Sequence, residues 1–176
     1  MSQTFMAEIG AARSSAPLGR AEVVLDFTRS ELFDRTFNEG MALVEETAAY
    51  LDGEGRRDSK LLSRAAALSY AAESMKLTTR LMQIASWLLV QRAVREGEMD
   101  PMAACEPRYR LKAREEQPGT LDAELPVALV ELVLQTERLH ERVLYLDRRM
   151  YLDDTPAPEA NPVQSQLDRL KAAFGG

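Results

Sequence analysis

The sequence of 176 residues contains one cysteine, one histidine and one tryptophan. A single cysteine excludes a disulfide within the chain and any zinc site built from several cysteines. A single histidine removes most metal sites and most catalytic triads from consideration. The scarcity of these residue types turns the search for a function away from metal and nucleophilic chemistry.

Net positive charge is also missing, because 22 Lys and Arg stand against 28 Asp and Glu, which gives a formal net charge of −6. Phosphate binding requires a net or clustered positive field, so nucleic acid is not expected as the main partner. The longest charge-free apolar run, residues 81–91, is about half of a membrane span. Residues 1–20 lack the basic head and apolar run of a signal peptide. We therefore expect a cytoplasmic protein that has no membrane partner.

What the sequence does contain is helical periodicity in a chain whose hydrophobic fraction, 45%, is normal for one globular domain. The first predicted helix spans residues 28–52, with Thr28 and Glu31 at the spacing of a capping box. Its apolar residues recur at steps of three and four: Phe33, Phe37, Met41, Val44, Ala48 and Leu51. Gly53 and Gly55 are expected to end this helix.

The second predicted helix, residues 59–96, is roughly 57 Å long and carries two apolar stripes. One stripe alternates large with small residues, each recurring every seven positions, which indicates close helix–helix packing. The other stripe consists of Leu77, Leu81, Ile84 and Leu88, with Trp87 beside it. Because the shorter helices cannot cover this one, we predict packing within the bundle or against a second copy for Leu61, Leu68, Met75, Met82, Trp87 and Leu89.

A long connection containing three prolines, residues 97–124, leads to the third predicted helix, residues 126–151. The third helix has an apolar residue at alternating steps of four and three from Leu125 to Met150, as in a bundle seam. The predicted fold is therefore all-α. Residues 27–152 are expected to form an antiparallel three-helix bundle around one long central helix.

Both ends of the chain differ in composition from this bundle. Residues 1–26 are rich in small and polar types and are expected to be mostly flexible, apart from the apolar piece from Val23 to Phe27, which would lead into the first helix or lie against the bundle. Residues 153–176 begin as an extended proline-containing linker and are expected to form a flexible tail. The tail ends in an amphipathic segment whose apolar residues share one helical face: Val163, Leu167, Leu170 and Phe174.

The charges are divided unevenly between the helices. Residues 27–53 carry six acids and two bases, whereas residues 54–96 carry eight bases and four acids. One interpretation is complementary charge between neighbouring helices, which fixes their pairing. The other is a local basic patch that binds an acidic protein partner. That patch would combine two clusters: Arg56, Arg57, Lys60 and Arg64, and Arg108, Arg110, Lys112 and Arg114.

No combination of residues predicts an enzyme. Cys105 and His140 stand 35 positions apart without the surroundings of a known nucleophilic pair. Glu137 and His140 resemble half of a di-iron motif, but a second histidine to complete it does not exist in the chain. We therefore assign no catalytic, cofactor-binding or metal-binding residue and expect no cofactor.

Residues 53–99 resemble the regulator-of-CtrA-degradation (RcdA) family of alphaproteobacteria. The resemblance lies in the strings YAAESMKLTTRLMQIASWLL and QRAVREGEM, which are too long to be a chance match. It implies a homodimeric three-helix bundle that serves as an adaptor for the ATP-dependent protease ClpXP. Such adaptors work with the recruiting factors of the protease, deliver cell-cycle response regulators and other transcription factors, and gather at the cell pole.

The family also implies that a flexible C-terminal tail is important, which draws attention to Val163, Leu167, Leu170 and Phe174 as partner-binding residues. Two other functions stay open from the residues themselves. The basic clusters would suit a DNA-associated helical regulator, although the acidic net charge and the absence of a helix-turn-helix pair oppose it. A self-associating scaffold without a protease role would use the same helical packing.

Overall fold

The computed structural model describes residues 19–113 and 120–151, and all five α-helices and two 3₁₀ turns identified below lie in these ranges. The described residues contain no strand, so the all-α prediction is confirmed. The helices are α1 (Arg20–Thr28), α2 (Glu31–Asp52), α3 (Glu54–Leu61), α4 (Arg64–Arg95) and α5 (Val127–Tyr151). The two 3₁₀ turns, Ala103–Cys105 and Pro107–Tyr109, lie in the connection between α4 and α5.

Helix α1 includes residues 20–26 of the segment predicted to be mostly flexible, and the apolar residues within 23–27 lie against the bundle. Glu22 accepts a hydrogen bond from the backbone N–H of Gly19 at 3.2 Å and secures the start of the helix. Val24 and Thr28 are fully buried, and the Phe27 ring lies 5.9 Å from Trp87 of α4. Burial of this short apolar face stabilises a helix that its length alone would not. Residues 1–18 lie outside the described residues.

The cap of α2 is Ser30, which corrects the predicted capping box at Thr28. The Ser30 hydroxyl accepts from the backbone N–H of Phe33 at 3.2 Å, as an N-cap side chain does. Thr28 instead donates its hydroxyl proton to the carbonyl of Leu25 at 2.9 Å, inside α1. The chain therefore turns between two helices at residues 29–30, and α2 begins at Glu31.

The predicted continuous helix of residues 59–96 is interrupted at residues 62–63. Leu62 has extended backbone, and Ser63 caps α4 by accepting from the backbone N–H of Ala66 at 3.2 Å. The Ser63 hydroxyl in turn donates to Glu124 at 2.6 Å, which ties this break to the start of α5. α4 is thus 32 residues long, about 48 Å, and α3 is a separate short helix between α2 and α4.

α4 and α5 run in the same direction, which corrects the prediction that successive long helices are antiparallel. Residue numbers increase on both helices from one contact to the next, from Arg80–Glu137 through Trp87–Asp147 to Gln91–Tyr151. α2 is antiparallel to α4, since Asp34 near its start pairs with Arg95 at the end of α4. The parallel arrangement requires a connection that returns along the bundle, and residues 96–126 supply it.

The core lies between α2, α4 and α5, with α1 packed across them. α4 contributes its second stripe, because Leu77, Leu81, Ile84 and Leu88 are buried. On α2 the buried face includes Gly40, where a Cβ atom would lie 2.5 Å from Leu88 Cδ1. Glycine at this position therefore allows α2 to approach α4 closely enough for Leu88 to fill the space.

Candidate interaction surfaces

The seven-residue stripe of α4 is exposed in the part of the chain that the structure describes. Leu68, Met75, Met82 and Leu89 are 69%, 72%, 65% and 53% exposed, and Leu61 on α3 is exposed too. These five residues therefore do not pack within the described bundle, and their packing against a second copy stays a prediction. Trp87, predicted with them, is the exception, because it is 2% exposed and belongs to the core.

Small residues separate the large ones along this exposed face. Ala65, Ala72, Thr79 and Ser86 are also exposed, and with the large residues they form a strip along most of α4. We call this strip the α4 face: Ala65, Leu68, Ala72, Met75, Thr79, Met82, Ser86 and Leu89. A contiguous exposed apolar surface of this kind marks an interaction site in a folded protein.

The two basic clusters do not come together. The first cluster is exposed near the start of α4, at Arg57, Lys60 and Arg64. Residues 108–112 pack farther along the same helix, beside its residues 79–90. Arg64 and Gln83 are separated by about 28 Å along the helix. Arg56 forms an ion pair with Asp52 at 3.2 Å, and Arg114 lies outside the described residues. The two clusters therefore do not form one joint basic patch.

Arg110, predicted to bind a partner, forms an ion pair with a buried carboxylate of the body. Its guanidinium donates to both carboxylate oxygens of Asp147, at 3.0 and 2.8 Å, and lies 4.5 Å from the centre of the Tyr151 ring. Asp147 also accepts from Trp87 Nε1 at 2.8 Å, and its side chain is 1% exposed. This buried network fastens the returning connection to α4 and α5 together.

A groove that no sequence pattern predicts lies between α4 and the segment 108–112, with a volume of about 450 Å³. Trp87 and Val90 contribute to its floor, and Met82 of the α4 face lies at one edge. The opposite wall carries Arg108 and the exposed Lys112. Arg108 pairs with Glu106 at 2.8 Å and lies over the Tyr109 ring at 4.7 Å. Thr79, Gln83 and Ser86 line the groove as well, so it is apolar only in part, and it carries Lys112 and the paired Arg108 along one wall.

Cys105 and His140 do not form a nucleophilic pair. The Cys105 thiol contacts the carbonyl oxygen of Pro101 at 3.3 Å, and burial raises its pKa, which favours the unreactive thiol over the thiolate. His140 is buried on α5 and lines a separate cavity with Arg80 and Glu137. Within residues 19–113 and 120–151, no cluster of three His, Cys, Asp or Glu side chains could hold a metal ion. None of the described helices is long and apolar enough to cross a membrane.

The pH dependence of Tyr151 ionisation tests directly whether this side chain is buried where α5 packs against α4. Burial raises the pKa of Tyr151 to about 12, and its hydroxyl is paired with the buried side chain of Gln91 at 3.0 Å. A phenol that keeps its proton more tightly when folded contributes stability that is complete below pH 10 and is lost as the pH rises toward 12.

We expect the difference in tyrosinate absorbance between the wild-type protein and Tyr151→Phe to titrate with a midpoint near 12. In urea the same difference should titrate near the ordinary value of about 10, because unfolding removes the burial. A midpoint near 10 in the folded protein would show that Tyr151 is open to solvent.

Comparison with known proteins agrees with the resemblance found in the sequence. A family model described as "Protein of unknown function (DUF1465)" matches residues 24–174. The crystal structure of RcdA from Caulobacter crescentus CB15 is similar at 65% identity, with a TM-score of 0.62, and the match covers 74% of this chain and 99% of that one. A search of curated proteins finds no match. The chain therefore belongs to the DUF1465 family, which is the family of RcdA.

Proposed function

We propose that this protein is a non-enzymatic adaptor that delivers regulatory proteins to an ATP-dependent protease. The observation that carries the proposal is the 65% identity to RcdA over 99% of that chain. The resemblance to the RcdA family implies an adaptor for ClpXP, so the proposed partners are ClpXP, its recruiting factors, and the response regulators and transcription factors of the cell cycle. The protein would act in the cytoplasm and gather at the cell pole through these partners.

An adaptor of this kind needs a rigid body with more than one binding surface. The α4 face is one such surface, and the exposed cations Arg57, Lys60 and Arg64 are a second, near the other end of α4 from the groove. The tail residues Val163, Leu167, Leu170 and Phe174, which lie outside the described residues, are proposed as a third. A tethered segment raises the effective concentration of what it holds, so weak contacts suffice for delivery.

We further propose that the three long helices form a bundle that pairs with a second copy through the α4 face. In an antiparallel pair, a two-fold axis beside residue 77 places each large residue opposite a small one. The pairs are Met75 with Thr79, Met82 with Ala72, Leu68 with Ser86, and Leu89 with Ala65. Small residues allow close approach of the two helix backbones, and the same surface on both copies makes a closed dimer.

The experiment that tests the adaptor proposal is a binding assay with purified components. The full-length protein is immobilised, and retention of the ClpX unfoldase is measured with the recruiting factors and a regulator substrate present. We expect unfoldase and substrate to be retained together, and retention to fall when Arg57 and Lys60 are changed to Glu. Replacement of two other exposed cations, Arg29 and Arg138, by Glu is the control for charge.

The outcomes of this assay also separate the alternatives. A protein that retains only further copies of itself would favour a self-associating scaffold, for which the α4 face is sufficient. Retention of duplex DNA that weakens steeply with salt would favour a DNA-associated regulator instead. Either result, obtained without retention of the unfoldase, would contradict the adaptor proposal.

A further inference from the structure

The groove beside α4 has no occupant among the described residues, yet the chain passes one end of it. α5 ends at Tyr151, whose hydroxyl contacts Gln91 next to Val90 of the groove floor. Arg110, from the opposite wall, lies over the ring of the same tyrosine. Tyr151, the last described residue before the 25 that follow it, therefore lies near one end of the groove.

Charge favours passage of this segment along the groove. Residues 152–162 carry three acids and no base: Asp153, Asp154 and Glu159. The described surface around their starting point carries more bases than acids, because Lys112, Arg108 and two exposed arginines in the last turn of α5 stand against Glu106, which pairs with Arg108. Opposite charge on the linker and on the rim attracts the segment to this side of the body, and added salt weakens that attraction.

Length fits equally well. The 11 residues of 152–162 can extend over at most about 35 Å. The part of α4 that lines the groove, from Thr79 to Val90, is about 17 Å long. The segment 163–174 would also be about 17 Å long as a helix, with Val163, Leu167, Leu170 and Phe174 on one face. The linker can thus deliver an apolar helix face as long as the groove itself.

We propose that the groove is the docking site of this chain's own C-terminal segment, residues 163–174. The apolar face of the segment lies over Trp87 and Val90 and leaves Met82 to the contact with the second copy, and the acidic linker runs beside Arg108 and Lys112. Docking within one chain benefits from a high effective concentration, so a short helix that is marginal alone becomes ordered. Docking excludes partner binding by the same segment at the same moment, because both use the face of Val163, Leu167, Leu170 and Phe174. The placement itself is measured without protease or substrate, so it does not rest on the adaptor role.

Photo-crosslinking in the full-length protein tests this placement. The variant Phe174→p-benzoylphenylalanine carries a photoreactive aromatic group on the apolar face of the segment. We expect it to crosslink within the same chain, at the mass of one copy, to residues 79–90 or 108–112. The same group at Ala172, on the opposite face of the segment, is the matched control and should give a several-fold lower yield.

Neutralising the linker provides a second measurement in which folding of the body is not disturbed. We expect Asp153→Asn, Asp154→Asn and Glu159→Gln together to lower the yield from position 174 several-fold, as added salt should. Changing the exposed pair Glu45 and Glu46 of α2 to Gln controls for net charge. Equal yields from positions 174 and 172, crosslinks to other parts of the body, or crosslinks between two copies would each overturn the proposal.

Discussion

Replacing Asp147 with alanine is expected to lower the free energy of unfolding by about 3–5 kcal/mol, the usual cost of removing one partner from a buried ion pair. The Asp147 carboxylate is 1% exposed and accepts hydrogen bonds from Trp87 Nε1 and the Arg110 guanidinium. Its removal leaves the indole N–H without an acceptor and leaves a largely buried cation without its counter-ion. Urea unfolding followed by circular dichroism measures the change.

A matched substitution and a double-mutant cycle make this prediction specific. Glu141→Ala changes an exposed carboxylate on the same helix and should cost less than about 0.5 kcal/mol. Arg110→Ala combined with Asp147→Ala should cost clearly less than the sum of the single changes, because the two side chains share their contacts. Additive losses, or a loss below about 1 kcal/mol for Asp147→Ala, would show that the network does not hold the connection in place.

Replacing Met75 with lysine is expected to weaken self-association at least about 100-fold, which corresponds to about 3 kcal/mol. Met75 is 72% exposed and, of the large residues of the α4 face, would lie closest to the two-fold axis of the proposed dimer. A two-fold axis introduces the substitution twice, so two cations would be buried near each other without partners. Sedimentation equilibrium of the variant and of the wild-type protein measures the dissociation constant.

The control for this substitution is Leu134→Lys, which places the same charge on an exposed apolar residue of α5. It should leave the dissociation constant within about threefold of the wild-type value, because surface changes outside an interface have small effects. For the monomer, the free energy of unfolding of both variants should match the wild-type value, since neither side chain is buried within one copy. A Met75→Lys protein that dimerises as tightly as wild type would exclude the α4 face as the interface.

The sequence predicted the helical class of the fold because the apolar periodicity is strong and propagates over many turns. It could not decide which stripe of α4 is the core. Both stripes have helical spacing, and the one with the stricter seven-residue repeat, from Leu68 to Leu89, is the exposed one. Periodicity indicates that a face will be covered, but it does not indicate whether the cover comes from the same chain.

The features that the sequence did not reveal depend on contacts between distant segments. The direction of α5 relative to α4 is set by the path of the connection, which has no period of its own. Asp147 lies one turn after Val143 and one turn before Met150, so its place on the buried face of α5 was readable. Its partners, Trp87 and Arg110, were not, because only the fold brings them to the carboxylate.

The most direct test of the proposed function is a degradation assay with purified ClpXP, ATP, the recruiting factors and a response-regulator substrate. If the protein is an adaptor, its addition should raise the initial rate of substrate loss several-fold. The rate should fall again at high adaptor concentration, because substrate and protease then bind separate adaptor molecules. An unchanged rate over the whole concentration range, with protein that is folded and binds its own copies, would contradict the account.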